Sequence, residues 1–230
     1  MKPLRNRQPR RLNAALSRIE VLVIIAVVGI LAGFFFAYRT QQHSRSLRVS
    51  DWQVAQRIQC VNNLKQVGLA FRIWAADHDD KYPVDLSLTN SHASEWIAAG
   101  DATPFFQVMS NELSTPKILV CPADRNHYPA PGFATGFSST NLSYFVGLDA
   151  AEIRPQTFLA GDADLEINGT LMPSGLAEIS TRAPLSWTAT RHRNFGIVCF
   201  ADGSVQQFTS PALRQALTQT GSVTNRLLIP

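Results

Sequence analysis

His192 and Asp202, the latter followed by Gly203, are the residues of this 230-residue chain that first invite a catalytic reading, because an imidazole beside a carboxylate can move a proton. Their spacing argues for a structural role. If Phe195–Ala201 is a strand, the two stand at its opposite ends, roughly 25–30 Å apart at about 3.3 Å per residue. Asp202 fits better as the first residue of a two-residue turn with Gly203, since both tolerate positive φ. His192 is then expected at the open end of that hairpin, near Ser210 and Pro211, as a hydrogen-bonding residue. A second candidate is Asp162, Asp164 and Glu166, which alternate oxygen donors before Asn168-Gly169, as calcium loops do. The twelfth position of that loop is Pro173 where such loops carry Glu, so the competing reading is a polar strand-and-turn face. The cysteines Cys60, Cys121 and Cys199 cannot all pair within the chain, and none has the local spacing of a zinc site. An exported domain admits one disulfide, with Cys60–Cys121 the favoured pair; the competing reading is three buried thiols behaving as small hydrophobes. Cys121 precedes Pro122 with no base nearby in sequence, and the chain has no phosphate loop, dinucleotide fingerprint or serine elbow. The expectation is a non-enzyme with no required cofactor, calcium being the one metal this spacing admits.

The elements that would position these residues follow from charge and hydropathy. The net charge is +4, but residues 1–18 carry Lys2, Arg5, Arg7, Arg10, Arg11 and Arg18 and no acid, while the remainder has 15 basic and 17 acidic residues. The basicity belongs to the N-terminus, where it reads as an orientation or targeting signal and not as a nucleic-acid footprint. Directly after it, Ile19–Ala37 is apolar except for Glu20. Nineteen helical residues span roughly 28 Å, about one bilayer core, and backbone in lipid must satisfy its own hydrogen bonds as a helix. A plain signal anchor would explain the length but not Glu20, which is costly in lipid unless it has a partner or sits at the interface.

Beyond the apolar run, Val54, Ile58, Val61, Leu64, Val67, Phe71 and Trp74 recur at three- and four-residue spacing, the mark of an amphipathic helix facing a core. Asp77–Asp80 and Pro83 end it, so one helix is expected from about Leu16 to Ala76, with a bend placed near Ser44–Ser50. The rest is turn-rich. Leu142–Leu148, Thr157–Ala160, Phe195–Ala201 and Ser204–Phe208 read as strands. Glu95–Ala99 and Phe105–Leu113 read as helical pieces, and Ser210-Pro211 as the N-cap and first residue of a short helix to about Leu217. The fold class expected is α+β: a long N-terminal helix, half in the membrane, packed on a small antiparallel-sheet head. Its divisions are a leader at 1–15, a membrane helix at 16–38, the amphipathic continuation at 39–82 and the head at 83–230.

Ala15-Leu16-Ser17-Arg18-Ile19-Glu20-Val21-Leu22-Val23 resembles the N-terminal motif of bacterial prepilins, a short basic leader and then a Phe-Thr-Leu-Ile-Glu type start to an apolar helix. Arg57–Phe71, with Cys60-Val61-Asn62-Asn63-Leu64-Lys65-Gln66 inside it, Asp77–Pro83 and Val120–Asp124 resemble segments of a large group of pilin-like proteins. His192, nine residues and Asp202-Gly203 resemble a processing-associated domain of that group named for this spacing. The sequence departs from the prepilin pattern at Ala15, Leu16 and Arg18, where the family has Gly, Phe and an apolar residue.

The resemblance implies cleavage between Ala15 and Leu16 by a prepilin peptidase, methylation of the new amine on Leu16, and assembly through Glu20, whose carboxylate would face a neighbouring subunit's N-terminal amine. It implies a single-pass protein of the bacterial inner (cytoplasmic) membrane, N-terminus cytoplasmic and head on the outer side. Its partners would be the membrane, the peptidase and other pilin-like subunits, in a type II secretion pseudopilus or type IV pilus-like assembly, with no nucleic acid. The alternative left open is an anchored envelope protein whose head binds a ligand or partner and whose prepilin motif serves export alone.

Overall fold

The computed structural model describes residues 18–85 and 91–230, with the backbone alone at 40–50 and 91–92. The expected leader and cleavage site, Ala15 and Leu16 included, lie outside the described residues. The chain divides into two units, Met1–Asp51 and Trp52–Pro230.

The first helix, α1, is Arg18–Ala76. In the first unit, Arg18–Arg39 has a mean hydropathy of 2.8 and none of it is buried, so by length and composition it can cross a membrane. In the second unit α1 buries Cys60, Leu64, Val67, Ala70, Phe71 and Ala75, a stripe at three- and four-residue spacing. The sequence expectation holds for Leu64, Val67 and Phe71, with Val61 and Trp74 partly buried against the same core, but Val54 and Ile58 are exposed, and Cys60, one turn before Leu64, joins the buried face. After Ala76, Asp79 and Asp80 adopt positive φ, and the Asp80 amide closes the helix end onto the Ala75 carbonyl at 2.9 Å.

Short helices α2 (Ser91–Ala99), α3 (Thr103–Gln107) and α4 (Ser110–Leu113) precede nine strands, β1 Tyr144–Gly147, β2 Phe158–Asp162, β3 Leu165–Ile167, β4 Thr170–Leu171, β5 Gly175–Ser180, β6 Leu185–Trp187, β7 Phe195–Phe200, β8 Val205–Thr209 and β9 Thr224–Ile229, with α5 (Ser210–Gln219) between the last two. Six strands form an antiparallel sheet in the order β5-β9-β1-β2-β7-β8, and β4-β3-β6 form a second sheet. The chain is thus α+β, as expected. Both faces of the larger sheet are covered. Tyr144, Val146, Ile197 and Cys199 pack with the α1 stripe, while their alternating neighbours Phe145, Val198 and Phe200 pack with Trp187 and with Leu213 and Leu217 of α5. Leu159 and Ala160 both face α1 because the β2–β7 register shifts between Phe158 and Ala160.

Two local expectations need correction. The β7–β8 connection is not a two-residue turn: the Gly203 amide bonds the Phe200 carbonyl at 2.9 Å, pairing resumes at Cys199–Val205, and only Gly203 takes positive φ, at 82°. Asp202 instead accepts the Ser204 amide on its Oδ1 at 2.8 Å. The α5 N-cap is Thr209, whose hydroxyl accepts the Ala212 amide, and not Ser210, because the chain turns helical one residue earlier.

A Cβ on Gly147 would lie 1.8 Å from the Phe158 carbonyl oxygen, so β1 and β2 could not keep their pairing beside it. Gly147→Ala is expected to cost about 2–3 kcal/mol, within the range for overpacking. The check is the chemical-denaturation midpoint of the detergent-solubilised chain, and an unchanged midpoint would contradict this packing.

Candidate functional site

Two features carry chemistry. The first is the exposed apolar segment of α1 with Glu20 in its first turn, where the positive helix end favours an acid. The second is a buried polar centre in the head, assembled from four stretches far apart in sequence.

α1 supplies Cys60 and Asn63, the loop after a 3₁₀ turn at Pro116–Leu119 supplies Cys121, Asp124 and His127, β2 ends in Asp162 with Asp164 just beyond, and the β6–β7 loop supplies Thr188, Arg191 and His192. Cys60 and Cys121 are joined by a disulfide with their Cα atoms 5.2 Å apart, and both are fully buried. Asn63, one helical turn on, donates its Nδ2 to the Val120 carbonyl at 3.0 Å and so fixes the same loop to α1. Cys199 is a free thiol against α1, pushed up to about 12 by burial and by the nearby Asp202 charge.

His192 Nε2 lies 3.3 Å from Cys121 Sγ and 3.7 Å from Asp162 Oδ2, and the residue is 3% exposed. Burial, with the positive charges of Arg57 and Arg191, holds the imidazole down at about 4, so it is neutral at pH 7. The chain beside His192 does lie at the open end of the hairpin, where Arg193 and Asn194 share a cleft with Ser210 and Pro211, but the imidazole itself turns to the disulfide. Arg193 and Asn194, both at positive φ, reverse the backbone before β7 and leave His192 against the disulfide. Asp202 stays in its turn, bonded to Ser204, so the two residues share no partner and form no catalytic pair.

Arg191 is the cation of this centre. Its Nη2 bonds Asp124 Oδ2 at 2.6 Å, its Nη1 donates to the Ser143 carbonyl at 2.8 Å, and Asp164 Oδ1 stands 3.9 Å away. Asp124 Oδ2 also accepts from His127 Nδ1 at 2.7 Å and Ser143 Oγ at 2.8 Å, and its Oδ1 accepts the Asn126 amide. Burial pushes Asp124 up, but the His127 bond, the Arg191 charge and these hydrogen bonds outweigh it and bring its carboxyl to about 2. Burial raises Asp164 to about 6 despite Arg191 and the Thr188 hydroxyl. Asp162 is fully buried and raised well above the carboxylate range by burial and by Asp164. Its Oδ2 accepts the Ile197 amide at 2.9 Å and its Oδ1 has no hydrogen-bond partner among the described residues.

The calcium reading fails on geometry. Asp162 engages Ile197, Asp164 engages Thr188, and Glu166 accepts from Ser186 Oγ, so the three carboxylates turn to separate donors. Among the described residues, the metal-ligating side chains that converge are Cys60, Cys121 and His192. The Cys60–Cys121 pair favoured from the sequence is present as a disulfide; sequence reasoning missed that His192 joins it, and with it Asp124 and Arg191, because 71 residues separate Cys121 from His192. Beside the centre a cleft of about 510 Å³ opens, lined by His127, Asp164, Glu166, Thr188 and Arg191 among others.

Comparison with family models, with curated proteins and with solved structures gave no match.

Proposed function

We propose that this chain is a membrane-anchored, pilin-like structural subunit of a type II secretion pseudopilus or type IV pilus-like assembly, held in the bacterial inner membrane with its head on the outer side. The observation that carries the reading is the helix Arg18–Arg39, apolar and exposed, with a single acid, Glu20, in its first turn. A carboxylate at that depth is tolerated where a cation meets it, and a neighbouring subunit's N-terminal amine would do so only in the correct register. The Cys60–Cys121 disulfide suits a head exported to an oxidising compartment. The partners of this reading are the membrane, a prepilin peptidase and other pilin-like subunits.

The test is intact mass and N-terminal sequencing of the protein recovered from membranes of a host with a prepilin peptidase. A start at Leu16 with one added methyl is the expected result, and Glu20→Ala should then abolish subunit crosslinking while leaving the protein in the membrane. A start at Met1 would sink the assembly reading. The cleft beside Arg191 favours the second reading in that event, an anchored envelope protein whose head takes a ligand.

A further inference from the structure

We propose that the reduced head binds one zinc-class divalent ion through Cys60, Cys121 and His192, with Asp162, beside His192, turning in as the fourth ligand, so that disulfide and metal are alternative occupants of one site. The donor atoms of Cys60, Cys121 and His192 all lie within 4.8 Å of one another. Tetrahedral zinc, with bonds of about 2.3 Å to sulfur and about 2.0–2.2 Å to nitrogen or oxygen, sets its sulfur and nitrogen ligands about 3.5 Å apart and its nitrogen and oxygen ligands about 3.3 Å apart. The corresponding separations here are 3.3 Å for Cys121 Sγ to His192 Nε2 and 3.7 Å for His192 Nε2 to Asp162 Oδ2. Once the sulfur–sulfur bond is broken, small χ1 changes bring the two sulfurs to the spacing an ion needs.

The donor chemistry is that of a structural zinc site: two soft sulfurs and an imidazole that converge, with a carboxylate beside the imidazole, all buried. Asp162 brings an independent sign. Its Oδ1 has no hydrogen-bond partner among the described residues, a costly arrangement at full burial that a cation would relieve, while Oδ2, the oxygen 3.7 Å from His192 Nε2, already accepts the Ile197 amide, so a turn of the carboxyl would bring Oδ1 to the ion. The disulfide fastens α1 to the loop carrying Cys121, and the ion would keep that attachment when the bond is lost.

The exchange balances with a dithiol reductant. The reductant gives two electrons and two protons, the Cys60–Cys121 bond breaks to two thiols, and the reductant becomes a disulfide. The ion then displaces the two thiol protons to solvent.

The experiment uses the detergent-solubilised full chain, reduced with a phosphine that is then removed without air, and titrated with Co²⁺ as the probe. The expected result is one ion per chain, with a thiolate-to-cobalt charge-transfer band and the strong visible bands of tetrahedral cobalt, all lost on adding Zn²⁺. The oxidised chain should show neither band. His192→Gln should weaken binding by about 100-fold or more, beyond the usual loss from a supporting residue. A second measurement needs no variant: Zn²⁺ should slow alkylation of Cys60 and Cys121 in the reduced wild-type chain while leaving Cys199 unchanged. Absence of the cobalt bands in the reduced chain, or equal protection of all three thiols, would overturn the proposal.

Discussion

Replacing Arg191 by methionine is expected to destabilise the head by about 3–5 kcal/mol at pH 7, the cost of removing one partner from a buried ion pair. The guanidinium is 9% exposed and makes the 2.6 Å contact with Asp124, which is itself buried. Methionine keeps much of the volume, so the loss is electrostatic and not a cavity. The pH dependence follows from the carboxyls. Asp124, held at about 2 in the fold, contributes stability that is present above its unfolded value of 3.8 and is lost as pH falls through about 2. Asp164, raised to about 6, works in the opposite sense: its contribution is present below 3.8 and is lost as pH rises through 6. Without Arg191 the first contribution shrinks and the second cost deepens. The deficit of the variant should therefore be greatest above pH 6 and least near pH 2–3. Urea unfolding of the detergent-solubilised wild-type and variant chains at pH 4 and pH 7.5, followed by near-ultraviolet circular dichroism, reads both. A deficit under 1 kcal/mol at pH 7.5 would mean that water already compensates Asp124. Pairing Arg191→Met with Asp124→Asn should recover part of the loss, since the Asp124 carboxylate is then not stranded and only the Asp164 cost remains.

The elements that could be read from the chain are those whose signal is local. The apolar run from Ile19 states its own length, and Leu64, Val67 and Phe71 mark the buried face of α1 by spacing alone. Asp202-Gly203 announces a reversal, although only the glycine takes the left-handed conformation. The buried centre was not legible, for reasons that can be named. Its members come from α1, the loop at residue 121, the end of β2 and the β6–β7 loop, and although the Cys60–Cys121 pair could be named, no local spacing brings His192 to it. Asp162 and Asp164 look like solvent-facing strand polars by type, yet they are buried, because Arg191, Thr188 and the Ile197 amide are brought to them by tertiary packing. The open end of the hairpin is the right place for His192, but its contact with the disulfide is not legible, because Arg193 and Asn194 turn the chain there without a glycine or proline to signal it. β3, β4 and β6 have two or three residues each, too short for periodicity to declare.

Cys60→Ala combined with Cys121→Ala is expected to lower the stability of the oxidised head by about 4 kcal/mol. The two cysteines are 61 residues apart, and a loop of that length in the unfolded chain loses about 14 cal/mol/K on closure, or about 4 kcal/mol at 25 °C. Alanine is the cleanest replacement because both sites are fully buried, and a serine would strand a hydroxyl there. Three further states make the measurement decisive: oxidised wild type, reduced wild type, and reduced wild type with excess Zn²⁺. The disulfide alone predicts that reduced wild type and the alanine variant unfold at similar denaturant concentration, well below the oxidised chain. The proposed ion adds a distinct step, because a ligand at about 100 times its dissociation constant stabilises by about 2.7 kcal/mol. Zn²⁺ should therefore lift the reduced wild-type midpoint most of the way back to the oxidised one. It should do nothing to the alanine variant, which retains His192 and Asp162 but has no sulfur at this site, its remaining thiol being Cys199. If Zn²⁺ shifts both chains equally, the ion is binding elsewhere. If the alanine variant is as stable as the oxidised wild type, the link from α1 to the Cys121 loop is held by the Asn63–Val120 bond and its surrounding packing, and not by the cysteines.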